Sequence, residues 1–249
     1  MASEPWRTGT VIRIVDETYN TRRFFIRVNE LDSFDFKAGQ FVTLDLPIHE
    51  QKNKRWRSYS IASWPDGSNV YELLIVLLEG GAGTTYLFNE VKVGSELLFR
   101  GALGFFTLPE NIEKDIFFIC TGTGIAPFRS MLNYIKLHKV FHKNLYLIYG
   151  CRTQKDLLYF DEMKCLETML DNFYFMPTLS RESWDGHTGY VHNLYEEICK
   201  KNNAACESIT DVKPVEFYLC GWKFMLDDAR KKIVDLGYER KSIHLESYG

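Results

Sequence analysis

The hydrophobic pattern of the sequence changes near residue 111, and this change limits the possible folds more than any other feature. Before Pro109, turn residues separate short runs of β-branched and aromatic residues, as in TVIRIV, RRFFIRV, QFVTLDL, YELLIVLL and ELLFR. After Asn111, apolar strand candidates such as DIFFIC, NLYLIYG, FYFMPTLS and VEFYLC alternate with helical stretches. The pattern predicts two domains: an antiparallel β barrel or sandwich over residues 1–111, and an α/β domain with a parallel sheet over residues 112–249.

Size and charge narrow the class of protein. The chain has 249 residues, 45% of them hydrophobic, which is enough for two cores of ordinary size. Its 30 basic and 33 acidic residues leave a net charge of −3, so no global field favours nucleic acid. We therefore expect no nucleic-acid partner.

The cysteines and the N-terminal residues indicate the cellular compartment in which the protein is expected. The cysteines show neither a CxxC pair nor the spacing of an iron–sulfur cluster, so we expect reduced thiols and no metal site. They are Cys120, Cys151, Cys165, Cys199, Cys206 and Cys220. The start MASEPWRT has no basic segment followed by an apolar core, and the longest apolar run, LLIVLL, is far shorter than the ~20 residues of a membrane span. We expect a soluble, cytoplasmic protein with no membrane partner.

A glycine-rich loop follows the first strand candidate of the second domain. Thr121-Gly122-Thr123-Gly124 leads into a helix that Pro127 can open, since proline is tolerated in a first turn. Glycines let a phosphate approach the backbone, and a helix N-terminus offers free N–H groups. The loop lacks the third glycine of GxGxxG and the GK[ST] of a P-loop, so a plain strand-to-helix turn is the alternative. Its place at the end of a parallel strand favours a dinucleotide.

The stretch RWRSYSIAS, from Arg55 to Ser63, breaks the alternation expected of a half-buried strand. Arg57 can make a bidentate contact to a pyrophosphate, Tyr59 offers a face to a flat ring, and Ser60 offers a hydroxyl to a ring heteroatom. An edge strand with solvated arginines is the alternative interpretation.

The order of three motifs resembles the ferredoxin–NADP reductase family: Arg57-Ser58-Tyr59-Ser60, then Gly81-Ala82-Gly83-Thr84, then TGTGIAP from Thr121 to Pro127. In that family a flavin-binding antiparallel β barrel precedes a Rossmann-like, NADP-binding α/β domain. The resemblance implies that Arg57 holds the FAD pyrophosphate, that Tyr59 stacks on the isoalloxazine and that Ser60 lies near its N5. The backbone amides from Ala82 to Thr84, the Thr84 hydroxyl and the N-terminus of the short helix after it would complete the phosphate site.

The second domain adds residues for the nucleotide. The resemblance assigns it to Thr121–Gly124 and Pro127, and YGCRTQKDLLY places Arg152 beside its adenosine end. Ser180-Arg181 resembles the pair that contacts the 2'-phosphate, where a guanidinium fork suits a doubly charged group. Tyr190 is the candidate counterpart of the tyrosine in plant-type members, whose lysine is absent here. Solvated surface arginines are the alternative, but the residues together indicate NADP over NAD.

The C-terminal end resembles the part of the family where the chemistry takes place. Cys220 ends the strand VEFYLC, as the family's cysteine does near the nicotinamide C4. The ending IHLESYG would place Glu246 near the reacting pair and Tyr248 on the flavin face opposite Tyr59. Gly249 follows Tyr248, so the aromatic is penultimate rather than terminal. Ordinary core and strand residues are the alternative for the cysteine and the tyrosine.

The resemblance implies a flavoenzyme that moves a hydride between NADPH and flavin N5 and exchanges single electrons with a ferredoxin or flavodoxin. Ser60, Cys220 and Glu246 would act there by positioning, and Tyr59 and Tyr248 by excluding water, with no side chain as a nucleophile. The alternatives are a reductase component of an oxygenase, a quinone, ferric or flavin reductase, and a flavin-binding electron-transfer module without turnover. We expect a monomer, with the basic run Lys52–Arg55 as a candidate docking site for an acidic carrier.

Overall fold

A computed structural model describes residues 4–204 and 212–248. Cys206, one of the predicted thiols, and Gly249, the residue after Tyr248, lie outside these ranges. By its internal contacts the chain forms two units. The first holds the residues up to Leu108 together with Ala126–His138, and the second holds Pro109–Ile125 and the residues from Lys139 onward. The domain boundary near residue 111 stays a prediction.

The first unit is built around an antiparallel sheet that closes on itself. Its strands are β1 (Trp6–Thr18), β2 (Thr21–Val28), β3 (Phe41–Asp45), β4 (Trp56–Ser60), β5 (Val70–Val76) and β6 (Glu96–Leu103). They lie in the order β4-β3-β6-β1-β2-β5, and an antiparallel bridge between Ile61 and Leu73 joins the two ends of that order. The unit is therefore a barrel, and the motif RSYS lies on its strand β4.

Alternating side chains fill this barrel. Along β2, Phe24, Ile26 and Val28 are fully buried, whereas the intervening Phe25 and Arg27 are more exposed. This period of two follows from the pleat of a strand, which sends successive side chains to opposite faces. A helix, α1 (Ala82–Asn89), follows β5 and buries its Leu87 in the same core.

The second unit is built around a parallel sheet. Its strands are β7 (Asp115–Thr121), β8 (Leu145–Cys151), β9 (Phe173–Leu179), β10 (His187–Thr188), β11 (Val215–Trp222) and β12 (Ile243–Tyr248). They lie in the order β10-β9-β8-β7-β11-β12, and every pairing is parallel. The chain runs outward from β7 to β10 and then returns to the other side of β7. The strand order therefore reverses between β7 and β11.

Helices alternate with these strands. They are α2 (Ile125–His138), α3 (Phe160–Met169), α4 (Val191–Ala204) and α5 (Lys223–Asp235). An antiparallel barrel followed by a parallel α/β sheet is the fold class that the sequence predicts, and the structure confirms it. None of the helices in the described ranges is long and apolar enough to cross a membrane.

The sequence pattern does not reveal α3. The residue before this helix, Tyr159, has a left-handed φ of 52° and provides no side-chain cap. A helix start is usually marked by Ser, Thr, Asp or Asn at that position, so the expected signal is missing. The short strand β10 is also unmarked, because two residues show no periodicity.

Candidate functional site

Arg57 and the N-terminus of α1 form a positively charged site in the first unit. A Cβ on Gly83 would lie 3.0 Å from Cγ and 3.2 Å from Nε of Arg57, so glycine permits this close approach. Arg57 donates to the carbonyl oxygens of Lys54 and Trp56 and forms no ion pair with a described residue. The first N–H groups of α1 have no intrahelical acceptor, and Gly81 supplies no side-chain cap. Two positive groups converge here without a negative partner, which fits a pyrophosphate.

Tyr59 and Ser60 stand next to this site on β4. Burial raises the pKa of Tyr59 to about 12, against a smaller lowering by Arg57, so the ring is a neutral phenol at physiological pH. Ser60 is buried, with 5% of its surface exposed. Adjacent residues of a strand point to opposite faces, so a flat ring that contacts both has to lie across the edge of β4.

The Thr84 hydroxyl has a structural role that the motif does not reveal. Its Oγ1 donates to the Gly81 carbonyl oxygen at 3.1 Å and accepts from the Leu78 N–H at 3.1 Å. These bonds close the turn between β5 and α1 and hold the first turn of the helix in place. A phosphate contact by this hydroxyl stays a prediction. The backbone N–H groups of the same turn have no acceptor within the helix, so they can donate to a phosphate.

The loop predicted to hold phosphate lies where the strand order of the second unit reverses. Connections leave β7 and β11 in opposite directions, which opens a crevice beyond their carboxyl ends. A 3-10 turn, Gly122–Gly124, leads from β7 to α2 at this crevice. Gly122 has a φ of 53° and open space around it, so glycine is favoured there because of its backbone conformation. At Gly124 a Cβ would lie 2.4 Å from the Cys220 carbonyl oxygen, so only glycine leaves room for the close approach of β11.

The predicted C-terminal residues come together beside this loop, all within the second unit. The strand register pairs Cys220 with Cys120 on β7 and with Glu246 on β12. Burial, with a contribution from the Glu246 charge, raises the pKa of Cys220 well above its usual value, so the thiol stays protonated. Tyr248 donates its hydroxyl hydrogen to the Thr123 carbonyl oxygen at 3.2 Å.

Backbone hydrogen bonding brings two predicted arginines together. The Arg181 N–H donates to the Arg152 carbonyl oxygen at 2.9 Å, just beyond the carboxyl ends of β8 and β9. Both side chains are exposed, and neither forms an ion pair with any residue in the described ranges. The neighbouring Glu182 carboxylate accepts from the Gln154 N–H at 2.8 Å. The two guanidinium groups therefore lie at one edge of the sheet without a carboxylate partner.

Ser180 and Tyr190 lie at the same edge. The Ser180 hydroxyl donates to the Cys151 carbonyl oxygen at 3.2 Å, so it would have to turn to reach a phosphate. Tyr190 is 69% exposed and follows Gly189, whose N–H donates to the Leu179 carbonyl oxygen at 2.8 Å. The roles of all these site residues stay predictions.

Sequence reasoning missed one group of charged residues in the first unit. Glu72 and Arg129 are 2% and 4% exposed, and Arg23 completes an ion cluster with them. The available signal was a carboxylate inside the apolar run YELLIVLL, because a glutamate in a buried strand needs a cationic partner.

Comparison with known families agrees with this geometry. The chain matches a model of the oxidoreductase FAD-binding domain over residues 8–108 and a model of the oxidoreductase NAD-binding domain over residues 118–231. It is 35% identical to ferredoxin–NADP reductase B of Sorangium cellulosum (strain So ce56) over 223 residues. This alignment covers 87% of this chain and 86% of that relative.

Solved structures show the same similarity. A cytochrome P450 reductase from Amycolatopsis, GcoB, is similar with a TM-score of 0.83 and 26% identity, over 99% of this chain and 71% of that one. A ferredoxin NADP+ reductase from Neisseria gonorrhoeae with bound FAD and NADP gives a TM-score of 0.79 and 25% identity, over 97% of this chain and 98% of that one. With its two matched domains and the order of its motifs, this chain belongs to the ferredoxin–NADP reductase family of flavoenzyme oxidoreductases.

Proposed function

We propose that this member of the family is an NADPH-dependent FAD enzyme that exchanges electrons with a small carrier protein of the ferredoxin or flavodoxin type. When bound, FAD supplies chemistry that side chains lack, because it accepts electrons in pairs and releases them singly. The residues of the chain bind, orient and shield the reactants. In this proposal residues 1–111 hold FAD and residues 112–249 hold the nucleotide.

The convergence of Arg57 with the first turn of α1 supports a pyrophosphate site. A guanidinium fork and free backbone N–H groups both suit phosphate oxygens, and no described carboxylate competes for Arg57. Tyr59 offers an uncharged ring face and Ser60 a buried hydroxyl at the edge of the same strand. We assign the FAD contacts to these residues and to the turn Gly81–Thr84.

The observation that carries the NADPH assignment is the pair of arginines at the edge of the second sheet. Arg152 and Arg181 are joined through their backbones and exposed, while Glu182 is occupied by a backbone N–H. Such a pair suits the doubly charged 2'-phosphate that distinguishes NADP from NAD. Thr121–Gly124 and Pro127, at the crevice of the sheet, would hold the other phosphates.

At the nicotinamide end the chain contributes position rather than a nucleophile. Cys220 presents a neutral thiol, because its raised pKa keeps the proton on Sγ. Tyr248 bonds the Thr123 carbonyl oxygen and makes a side-chain hydrogen bond with Cys220, and a bond of this kind contributes only about 1 kcal/mol. A nucleotide can therefore displace this ring, and the ring shields the crevice from water until then.

The basic run before β4 supports an acidic carrier as partner. Arg55 is already paired with Asp45. Lys52 and Lys54 lie in an exposed 3-10 turn and form no ion pair with a described residue, so they are free to meet an acidic surface. A monomeric state and a cytoplasmic location stay predictions.

A second candidate function is the reductase component of an oxygenase. The similarity to the Amycolatopsis cytochrome P450 reductase, at a TM-score of 0.83, favours it. Both candidates use the same FAD and nucleotide sites. They differ in the protein that takes the electrons.

Anaerobic stopped-flow reduction of the FAD-loaded protein, with NADPH and NADH side by side, tests the proposal. We expect fast bleaching of the flavin by NADPH and slow bleaching by NADH. Equal rates would keep the family and remove the NADPH preference, whereas no bleaching by either nucleotide would refute the enzyme activity. Mixing the reduced protein with a [2Fe–2S] ferredoxin or with a flavodoxin then tests the acceptor, since a carrier that fails to reoxidise it is excluded.

A further inference from the structure

Three charged side chains form a buried cluster in the first unit. The Glu72 carboxylate, 3% exposed, accepts from Arg23 at 2.6 and 3.2 Å and from Arg129 at 3.0 Å. The Arg129 side chain is 4% exposed. Buried charges are costly unless paired, and removal of one member leaves an uncompensated charge. The cluster therefore holds its members in fixed positions.

The cluster also holds the backbone that follows the RSYS motif. Arg129 Nη1 donates to the Ala62 carbonyl oxygen at 2.8 Å, and its guanidinium carbon lies 5.3 Å from the Trp64 ring centroid. The Ala62 N–H donates to the Glu72 carbonyl oxygen at 2.8 Å, and the Glu72 N–H donates to Ser63 Oγ at 3.0 Å. Each residue from Ala62 to Trp64 is thus in contact with Glu72 or Arg129.

Arg129 reaches this segment from the helix that follows the glycine-rich loop. The helix α2 begins at Ile125, directly after Gly124, and Arg129 lies in its second turn. By their contacts Ala126–His138 belong to the first unit, although the matched NAD-binding model, residues 118–231, includes them. One side chain therefore ties the helix leading from the glycine loop to the segment leading from the RSYS motif.

We infer that Arg129 is a positioning residue for the flavin site of the first unit, acting through the Ala62 carbonyl oxygen on the segment that follows RSYS. The inference rests on the proposed function. Hydride transfer to the flavin needs reacting atoms held within about 3–3.5 Å, so a small shift of the segment that holds the flavin lowers the rate while binding persists. The planar fork of arginine bonds a carbonyl oxygen and a carboxylate at once, which the ammonium of lysine does less well.

The experiment compares Arg129→Gln and Arg129→Lys with the wild type, and uses Arg13→Gln as the control. Arg13 is an exposed arginine of the same unit that also lies over an aromatic ring, 5.0 Å from the Phe25 centroid. Each FAD-loaded protein is reduced anaerobically over a range of NADPH concentrations. This separates the maximum rate per bound FAD from the apparent nucleotide affinity. Amide hydrogen exchange over residues 62–64 is measured on the same samples.

We expect Arg129→Gln to lower the maximum rate per bound FAD by roughly 100-fold, with little change in apparent nucleotide affinity. Exchange at Ala62 should become faster, Arg129→Lys should fall between the glutamine variant and the wild type, and Arg13→Gln should match the wild type. Wild-type rate and exchange in Arg129→Gln would overturn the inference, as would a loss explained entirely by unbound FAD.

Two further outcomes are decisive. If Arg129→Gln does not fold, Arg129→Lys decides, and wild-type rate and exchange in that variant overturn the inference. If neither nucleotide reduces the wild type, the proposed function fails and the positioning role fails with it. A wild type that is reduced normally separates the two conclusions.

Discussion

Replacement of Gly124 by alanine should destabilise the protein, although a change from glycine to alanine in this backbone conformation usually stabilises one. Gly124 does not have a positive φ, and at such a position alanine normally stabilises a protein by roughly 0.4–1 kcal/mol, because it restricts the unfolded chain. Here the new Cβ would lie 2.4 Å from the Cys220 carbonyl oxygen and 2.9 Å from its carbonyl carbon. Unbonded carbon atoms normally stay about 3.5–4.0 Å apart, so the loop or β11 must move by about 1 Å.

The size of the effect follows from that overlap. Overpacking typically costs about 1–3 kcal/mol, so Gly124→Ala should destabilise by that amount. A shift of about 1 Å at the nicotinamide end should also lower the rate of flavin reduction by roughly 100-fold.

Gly122 provides a matched control in the same loop. Nothing lies within 4 Å of a Cβ at Gly122, and only its φ of 53° disfavours a side chain. Alanine there should cost roughly 1–2 kcal/mol, and asparagine, which tolerates left-handed backbone, should cost less. At Gly124 asparagine should be at least as harmful as alanine, because the obstacle is space rather than conformation.

Denaturant unfolding of the FAD-loaded variants, with anaerobic reduction by NADPH, measures both effects. A Gly124→Ala protein that is as stable as the wild type, or more stable, would refute the packing argument. Recovery of stability by Gly124→Asn would refute it as well.

Other substitutions test other parts of the site. Arg181→Gln should weaken NADPH binding by roughly 10–100-fold, the loss expected for a charge-assisted hydrogen bond, and leave NADH binding unchanged. An equal loss for both nucleotides in a titration would contradict a 2'-phosphate role. Burial lowers the pKa of His192 from 6.5, so the unfolded chain binds a proton first as the pH falls. The free energy of unfolding should therefore drop below about pH 6.5, and His192→Gln should flatten that part of the curve in denaturant titrations. Tyr248→Ser removes the bond to Thr123 and should tighten nucleotide binding, whereas Tyr248→Phe keeps the ring and should change it less; a serine variant that binds no better than the wild type argues against displacement.

Much of the fold was predictable because the signals are local. The period of two along TRRFFIRV and the continuous apolar run DIFFIC depend only on neighbouring residues, and both segments are strands with the expected burial. The family resemblance placed Cys220 and Glu246 at the same end of the site, and the parallel pairing of β11 with β12 puts them side by side. Motifs at the ends of the parallel strands lie at the carboxyl edge of the sheet, and ligand binding at that edge stays a prediction.

The features that the sequence did not reveal depend on contacts between distant segments or on the exact position of a backbone carbonyl oxygen. Glu72 and Arg129 are 57 residues apart, and no local pattern pairs them. The bonds of the Thr84 and Ser180 hydroxyls to nearby carbonyl oxygens depend on the detailed path of the turns. The helix α3 lacks a start signal because Tyr159 enters it from a left-handed conformation.

The position of β4 at the end of the barrel's strand order has a consequence for solubility. The Ile61–Leu73 bridge closes the barrel just after this strand, but between Trp56 and Ser60 the strand pairs with β3 and no other described strand pairs with its second edge. Open strand edges are templates for pairing with other chains, and charged residues near them, lysine above all, oppose aggregation. Lys52 and Lys54, exposed just before the strand, are placed to protect it. At the proposed FAD site the cofactor would cover this edge, so newly synthesised chains should aggregate most readily before FAD binds, and the supply of FAD during expression should govern the yield of soluble protein.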